Sequence, residues 1–589
     1  MPWYNSQDQE YYVFLPSFAE LKDISIQGCT LSNRNNTVID SLYQNIIGDS
    51  NIVVSINNGQ YPINFIQSSR IHTLFINLSE EEFEKTNHKK GYASPVCMRL
   101  VAPNGETSYC DSLYSTTIQS RGNSTWKKIK KPYTITLDKP DSLLGLGLSR
   151  KWVLLANAFD PSNMRNKIVY DFASLIFQNW SPKADYVDLY VNGIYQGLYL
   201  LSEQLEVSSH RLDIQSDNKF LFTITRKSKI DDDCFVYEFP MTYRLVQLVY
   251  PQTVTPETEN EIIHHLNHLE TTILDAVEHP YDDISTTIDV DSWAQRQLID
   301  EIFENSDQGA LSSYFYYVGD EENGKFYGGP IWDYDLTMGR EIRNENPRVF
   351  ITQNYPLDSS NTTFHIALMH NKGYQERLKA LYRDQCRGKI QHIIDFGIDS
   401  LSDLISQSNQ MNRIRWDSLL ASNADFFRWN RWNILFSPVD PFLVSKPDFL
   451  KRYLMDRVGF LDSAWIYNIP THTVKIQVNE SSAGLYSIKD ATLVSQLLSR
   501  SGITMDEHVI WKDRYNDKIY GVDSVIDSDA CLAIISPDSL IWKLHQNKKP
   551  QNSWSKKNII RAMLMPCLLV LLACFVFVDI KKNKQVRHE

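Results

Sequence analysis

The sequence is poor in the residues that mark several special classes of protein. Glycine and proline occur only 23 times each in 589 residues, which excludes collagen-like and low-complexity architectures. The eight cysteines are too few for a disulfide scaffold in a chain of this length, and none shows the spacing of a zinc site. Cys97 and Cys110 could pair across a hairpin in an oxidising compartment, but we favour free thiols.

Basic residues are also scarce. Lysine and arginine total 59 against 71 aspartates and glutamates, so the formal net charge is −12 at pH 7. Because nucleic-acid binding relies on cations that neutralise phosphates, we expect no nucleic-acid partner, although a local basic pocket could still hold a nucleotide. Hydrophobic residues make up 42% of the chain, a proportion typical of folded globular domains.

A long apolar run lies near the C-terminal end, whereas the N-terminal residues show no signal peptide. Residues 559–580 come close to the ~20 residues needed to cross a bilayer, so we predict a single-pass C-terminal membrane anchor. Residues 546–558 would be its linker and 581–589 a basic tail. A buried core helix is the alternative interpretation. Basic residues flank the run on both sides, so the side of the membrane that holds the bulk of the chain stays open.

The rest of the chain divides into three regions by its hydrophobic patterning. Short alternating runs separated by turn residues predict a β-rich, sandwich-like domain at residues 10–112. Residues 113–470 combine a mixed part at 113–255 with a mostly helical part at 256–470. Residues 471–545 return to short strands and predict a small accessory module. The expected fold class is therefore a multidomain α+β protein with a C-terminal transmembrane helix.

Local signals within 113–255 are more specific. Asn192-Gly193 stands between two alternating runs, which predicts a tight hairpin turn. Asp160-Pro161-Ser162 marks the start of a helix, with Ser162 as the candidate N-cap.

Two blocks concentrate groups suited to phosphate chemistry. In the first, RGNSTWKKIKK from Arg121 to Lys131, a guanidinium stands beside a glycine and is followed by four lysines. Arginine suits phosphate oxygens, and glycine allows close backbone approach. A solvated run of charge is the alternative interpretation.

The second block contains Asp307, Asp333 and Asp335 in apolar and aromatic surroundings. Buried carboxylates need a cation as a partner, and oxygen ligands suit magnesium. The aspartates could instead be helix caps or turn residues. Together with the first block they supply the parts of phosphoryl transfer: an Asp that holds metal, an Asp that orients a hydroxyl, and cations for phosphates.

Five motifs in order resemble the spore coat protein H (CotH) kinase-like family. They are RGNSTW, KKPYTITLDK, KWVLLANAFDPSNMRNKIVYDFA, YVDLYVNGIYQGLYLLSEQ and GGPIWDYDLTMG. The resemblance covers about residues 113–470. It implies a divergent protein-kinase-like fold with two lobes, and transfer of phosphate from ATP to Ser or Thr of a spore-coat or cell-surface type protein.

The resemblance also implies roles for individual residues. Asp307 would orient or deprotonate the acceptor hydroxyl, while Asp333, helped by Asp335, would hold Mg²⁺ or Mn²⁺. Eight residues would contact ATP: Arg121, Asn123, Lys130, Lys131, Arg165, Asn166, Gln196 and Glu203. Gln196 and Glu203 would lie toward the adenine.

The sequence departs from ordinary kinases at three points. No G-x-G-x-x-G loop precedes Arg121, Ser312 stands where a kinase has its metal-binding asparagine, and the helix after Ser162 offers only Asp171 as the partner of a lysine. The alternative to a membrane-anchored atypical kinase is therefore an inactive, membrane-tethered scaffold. A phosphotransferase acting on a sugar is a third interpretation.

Overall fold

The computed structural model describes most of the chain up to Ile534. The described residues run from 2 to 534, apart from shorter gaps of one to three residues and the segments 21–29, 34–38, 40–45, 354–363, 423–444 and 501–510. The chain divides into two compact units. One comprises residues 1–473 with 485–489, and the other comprises residues 474–484 with 490–589.

The first unit begins with a small five-stranded sheet in the order β1-β2-β5-β4-β3. Its strands are β1 (Trp3–Asn5), β2 (Glu10–Leu15), β3 (Thr30–Asn33), β4 (Ile52–Ile56) and β5 (Gly59–Gln67). Inward-facing residues such as Leu31, Val54 and Phe65 form its apolar core. The alternation of buried and exposed side chains explains why these runs form strands with one covered face.

A closed seven-stranded barrel follows, in the order β10-β12-β11-β6-β7-β8-β9. Its strands are β6 (His72–Asn77), β7 (Ala93–Val101), β8 (Thr107–Ser120), β9 (Tyr133–Asp141), β10 (Ser149–Leu155), β11 (Ala184–Val191) and β12 (Ile194–Glu203). Helix α1 (Glu80–His88) joins β6 to β7, and α2 (Arg165–Ile176) lies between β10 and β11. Alternate residues fill the interior, among them Leu74, Ile135 and Trp152.

The barrel corrects part of the expected fold class. Hydrophobic alternation identified the strands, but it contains no information about which strands pair. We expected a sandwich-like domain in residues 10–112, whereas β6 and β7 pair into the same barrel as β9–β12. Strand β8 runs through residue 112 without interruption.

Two local predictions in this region have different outcomes. The hairpin is confirmed, because β11 pairs with β12 across Asn192 and Gly193, whose φ angles are 51° and 76°. Helix α2, however, begins at Arg165, so Ser162 is not its N-cap. Asp160 takes part of this role instead, since its Oδ2 accepts a hydrogen bond from the Arg165 N–H at 2.8 Å.

The remaining part of the first unit packs helices against an antiparallel sheet in the order β14-β15-β13-β16-β17. The strands are β13 (Lys219–Thr225), β14 (Val236–Glu238), β15 (Leu245–Tyr250), β16 (Ser313–Val318) and β17 (Lys325–Gly328). The helices are α3 (Pro256–Glu278), α4 (Val290–Ile302), α5 (Phe364–Leu368), α6 (Lys372–Leu381), α7 (Arg387–His392), α8 (Ile398–Ser422) and α9 (Pro447–Trp465). The helical spacing of Ile262, Leu266, Leu269 and Ile273 is confirmed, because all four are buried on α3.

The second unit contains a separate sheet in the order β19-β18-β24-β21-β22 and a two-stranded sheet of β20 and β23. Its elements are β18 (His472–Val478), β19 (Ser481–Ile488), β20 (Thr492–Leu493), α10 (Val494–Arg500), β21 (Trp511–Asp513), β22 (Ile519–Tyr520), β23 (Val525–Ile526) and β24 (Ala530–Ile534). Val474, Trp511 and Leu532 are buried in it.

The prediction of a single-pass membrane protein is also corrected. Residues 559–580 lie outside the described residues. Among the helices that the structure does describe, none is both long enough and apolar enough to cross a bilayer. The two longest, α3 and α8, carry charged residues along their length.

Asp188 is a buried carboxylate at the point where α8 meets the barrel. Ser408 Oγ on α8 donates to Asp188 Oδ2 at 2.6 Å, and the Tyr195 hydroxyl donates to Oδ1 at 2.8 Å. Burial raises the pKa of Asp188 to about 6, although these hydrogen bonds act in the opposite direction. At pH values between the ordinary pKa of 3.8 and about 6, Asp188 therefore binds a proton when the chain folds.

We predict that stability falls as the pH rises through this interval and that Asp188→Asn reduces the fall. The reduction between pH 4 and pH 7.5 should be about 2.4 kcal/mol, because the full shift corresponds to about 3 kcal/mol and Asp188 of the unfolded chain is already partly ionised at pH 4. Urea unfolding at pH 4 and pH 7.5 measures it, with Asp138→Asn as a control at an exposed position of β9. An unchanged pH dependence in Asp188→Asn would contradict the prediction.

Candidate active site

The structure brings Arg121, Asp307, Asp333 and Asp335 close enough together for their charges to interact. Arg121 follows β8, and its guanidinium lies 5.5 Å from the centre of the Trp332 ring. The charge of Asp307 raises the pKa of Asp333, and the charge of Arg121 lowers it. The two sequence blocks, about 200 residues apart, therefore form one electrostatic group.

The segment after β17 holds Asp333 in an unusual backbone conformation. Asp333 has a φ of 69°, in the left-handed region that non-glycine residues rarely adopt. The neighbouring Tyr334 fixes this segment, because its N–H donates to Asn166 Oδ1 of α2 at 2.7 Å. Such strain persists only where the surroundings enforce it, and it concentrates at functional sites.

Asp300 on α4 connects the two loops that hold the acidic residues. The Tyr334 hydroxyl donates to Asp300 Oδ1 at 2.7 Å, and Asn305 Nδ2 donates to the same oxygen at 2.9 Å. Asn305 Oδ1 in turn accepts the N–H of Asp307 at 3.1 Å. Arg296 Nε donates to Asp300 Oδ2 at 2.9 Å, so the buried charge is paired. One carboxylate thus positions the chain next to both Asp307 and Asp333.

Our sequence analysis missed Asp300. The signal was available, because the residue interrupts the apolar run from Leu298 to Phe303 just before Asp307. A charged residue on the apolar face of a helix requires a buried partner, and helical spacing pointed to Arg296 four residues earlier.

The carboxylates of Asp307, Asp333 and Asp335 repel one another. Asp333 is exposed, yet desolvation by the surrounding protein, followed by the charge of Asp307, raises its pKa to about 6. Asp335 is buried, and burial, followed by the charges of Asp333 and Asp160, raises its pKa well above the ordinary value. A bound cation would relieve this repulsion.

Two further groups act on Asp333. Ser312 Oγ donates to Asp333 Oδ2 at 3.4 Å, so the residue at the position of the kinase asparagine does lie at the acidic site. Lys229, on a 3₁₀ turn at Lys227–Lys229, lowers the pKa of Asp333 by its charge. Desolvation lowers the pKa of Lys229 itself, as do the nearby charges of Lys127 and Lys90, whereas Asp307 opposes this. Lys229 is a second residue that our sequence analysis missed.

Arg165 and Asn166 both lie at the start of α2, but they have different surroundings. Asn166 faces the Asp333 segment through its bond to Tyr334. The Arg165 side chain is fully buried, with Nη1 2.6 Å from Asp160 Oδ1 and Nε donating to the Thr337 carbonyl at 2.9 Å. Arg165 thereby anchors α2 to the chain that follows Asp335.

The two lysines that the resemblance assigned to ATP, Lys130 and Lys131, have partners elsewhere. Lys130 is buried, donates to the Leu198 carbonyl at 2.5 Å, and lies 4.5 Å from the centre of the Tyr199 ring. Burial lowers its pKa to about 7. Lys131 donates to the Trp126 carbonyl and lies over that indole ring at 4.9 Å. Asn123 is exposed, and its Oδ1 accepts a hydrogen bond from Lys90 at 3.0 Å.

Gln196 and Glu203 lie at opposite ends of β12. The Gln196 carbonyl accepts a hydrogen bond from Trp416 Nε1 on α8 at 2.9 Å. Glu203 is buried, and its Oε2 accepts hydrogen bonds from Trp180 Nε1 at 3.2 Å and from the Lys183 N–H at 2.9 Å. Neither residue touches the Asp307–Asp333 group through any of these bonds.

The donor set fits a hard divalent cation that has additional ligands. Asp333 and Asp335 offer carboxylate oxygens in a site where like charges crowd. Within the described part of the chain, no three His, Cys, Asp or Glu side chains converge closely enough to hold a metal ion by themselves. Water or substrate oxygens would therefore have to complete the coordination shell.

Comparisons with known proteins agree on one family. The family model described as CotH kinase protein matches residues 118–433, which is more than half of the chain. Inner spore coat protein H of Bacillus subtilis (strain 168) is 28% identical over 231 residues, which cover 39% of this chain and 60% of that protein. The match thus spans less than two thirds of the relative's own length.

We predict that Asp300→Ala destabilises the fold by about 3–5 kcal/mol, because it leaves the buried Arg296 without its charged partner. The matched control is Asp291→Ala on the same helix, whose partner Arg377 lies at the surface at 2.6 Å. The control should lose about 1 kcal/mol or less. Urea unfolding measures both. Equal losses of stability in the two variants would show that the buried Asp300 contributes no more than a surface ion pair.

Proposed function

The chain belongs to the CotH kinase family, and on that premise we propose that it is an atypical protein kinase. It would transfer the γ-phosphate of ATP to Ser or Thr of a coat-type protein. The observation that carries the proposal is the convergence of Asp307, Asp333 and Arg121 from distant parts of the sequence. Because the Bacillus subtilis relative is an inner spore coat protein, we propose another coat protein as the acceptor.

In this proposal Asp307 orients the acceptor. The acceptor hydroxyl oxygen forms a bond to the γ-phosphorus, the bond from that phosphorus to the β–γ bridging oxygen breaks, and ADP leaves. Asp307 takes up the hydroxyl proton. The carboxylate lies on a loop held by Asn305 and Asp300, so its position is fixed before the acceptor arrives.

Cations near the acidic residues would bind the phosphates. Arg121 lies over the Trp332 ring, and Tyr314, Asp333 and Tyr170 are close enough for their charges to act on it. Lys229 contributes a second positive charge near Asp307. Asp333 and Asp335 would hold Mg²⁺ or Mn²⁺, which, when bound, neutralises negative charge on the phosphates.

The alternative is a catalytically inactive relative that serves as a scaffold, and Ser312 is the observation that favours it. A serine supplies one neutral oxygen where kinases use an asparagine, and here its hydroxyl donates to Asp333. Asp307 and Asp333 lie close enough for their charges to interact, which supports the kinase, and we therefore favour it.

The test is phosphate transfer from labelled ATP by the full chain, with Mg²⁺ or Mn²⁺ and a serine-rich acceptor protein. We expect Asp307→Asn and Asp333→Asn each to lower the rate by about 10²–10⁴-fold, because each removes a group that acts on the reacting atoms. Asp403→Asn, at an exposed position of α8, is the control and should retain the wild-type rate.

Each outcome separates the candidates. Binding of ATP without transfer to any acceptor would favour the scaffold. Transfer to a sugar but to no protein would identify a small-molecule phosphotransferase. If the wild-type chain neither binds ATP nor transfers label, the kinase proposal fails.

A further inference from the structure

We propose that a group of basic side chains beside Asp307 selects acceptors that carry a negatively charged residue next to the Ser or Thr, an inference that rests on the function proposed above. The group, called the basic cluster below, consists of Lys90, Lys127, Arg226 and Lys229. The first three are exposed and Lys229 is half-buried. Because the whole chain has a net charge of −12, this excess of positive charge is a local feature.

Lys90 and Lys127 come from two different connections between strands. Lys90 lies between α1 and β7, and its Nζ donates to Asn123 Oδ1 at 3.0 Å. Lys127 ends a 3₁₀ turn at Thr125–Lys127, between β8 and β9. Both the partner of Lys90 and the turn with Lys127 thus belong to the short segment that follows Arg121.

Arg226 comes from the sheet in the helical part of the chain. It directly follows β13, in which Ile224 pairs with Ser313 at the start of β16. The backbone of Arg226 is still extended, so the antiparallel register continues toward Leu311. The Leu311 N–H donates to the carbonyl of Asp307 at 3.0 Å. Arg226 therefore lies beside the loop that carries Asp307.

The charges of the cluster act on one another and on Asp307. Desolvation lowers the pKa of Lys229, and the charges of Lys127, Lys90 and Arg226 lower it further, whereas Asp307 raises it. The backbone brings two members together as well, since the Lys229 N–H donates to the Arg226 carbonyl at 2.7 Å. Cations crowded in this way repel one another, and a bound anion relieves the repulsion.

The acceptor chain would bring such an anion to the cluster. In the proposed function Asp307 orients the acceptor hydroxyl, so the neighbouring residues of the acceptor pass over the surface around Asp307. An extended chain advances about 3.3 Å per residue, which places the flanking side chains within about 7 Å of the hydroxyl. A carboxylate or a phosphate at these positions would be attracted by the cluster, whereas a lysine would be repelled. A serine that is already phosphorylated would thus promote phosphorylation of the serine beside it.

The test compares three peptides as acceptors for the full chain, identical except that the acceptor serine is flanked by aspartate, by phosphoserine or by lysine. We expect the wild-type chain to use the aspartate and phosphoserine peptides with a kcat/KM about tenfold higher than the lysine peptide, and this ratio to shrink as salt is added. Preference for the phosphoserine peptide alone would support the inference in the narrower form that earlier phosphorylation is the signal.

The variant is Lys90→Glu combined with Arg226→Glu. It should abolish or reverse the preference between peptides and leave the KM for ATP unchanged. The matched control is Lys139→Glu combined with Lys151→Glu, on β9 and β10, which changes the net charge equally and should keep the wild-type preference. All four side chains are exposed, so both double variants should keep the wild-type urea midpoint.

Three results would count against the proposals, each in a different way. If the wild-type chain uses the three peptides equally or prefers lysine, the inference is wrong and the proposed kinase function stands. If Lys90→Glu with Arg226→Glu raises the KM for ATP and leaves the preference between peptides intact, the cluster binds the phosphate donor and the inference is wrong. If the wild-type chain transfers label to no peptide and to no serine-rich protein, the proposed function fails first.

Discussion

A single buried carboxylate, that of Asp300, determines the geometry of the candidate active site. It accepts hydrogen bonds from Tyr334, next to Asp333, and from Asn305, which holds the N–H of Asp307. Because Asp300 lies on α4, a helix whose residues are almost all buried, the separation of the two acidic loops is fixed by a rigid element rather than by the loops themselves. Catalytic groups on loops reach useful precision only with such support.

The site also shows a conflict between stability and chemistry. Asp333, Asp335 and Asp160 lie close enough for their charges to oppose one another, and Asp333 adopts a strained φ. A chain selected only for stability would avoid both features. Such features cluster at functional sites, so this group beside Arg121 and Lys229 is the candidate on which the proposed function rests.

Some features of the fold and of the candidate site could be predicted from the sequence, and the reason differs from one feature to the next. The Asn192-Gly193 hairpin followed from local turn chemistry. Arg121, Asp307 and Asp333 stood out by their residue types in two blocks, and the resemblance to one family then suggested their roles. The barrel could not be predicted, because alternation in β6–β8 shows which face is buried but not which strand is the neighbour. Lys130, Lys131 and Arg165 were assigned to ATP by the resemblance, whereas the structure gives them carbonyl or carboxylate partners inside the fold. The expected membrane helix lies outside the described residues.

Helix α8 has a consequence for how a ligand would enter and leave. It forms hydrogen bonds with the barrel and with the turn before α2 at several points: Ser408 to Asp188, Asn409 to Asn163, Asn412 to Leu198 and Trp416 to Gln196. Rotation of the barrel away from the helical part would break these mostly buried contacts together, a large cost for each turnover. Exchange of any ligand of this site would therefore depend on small local displacements of loops such as that after Arg121 rather than on the opening of two lobes.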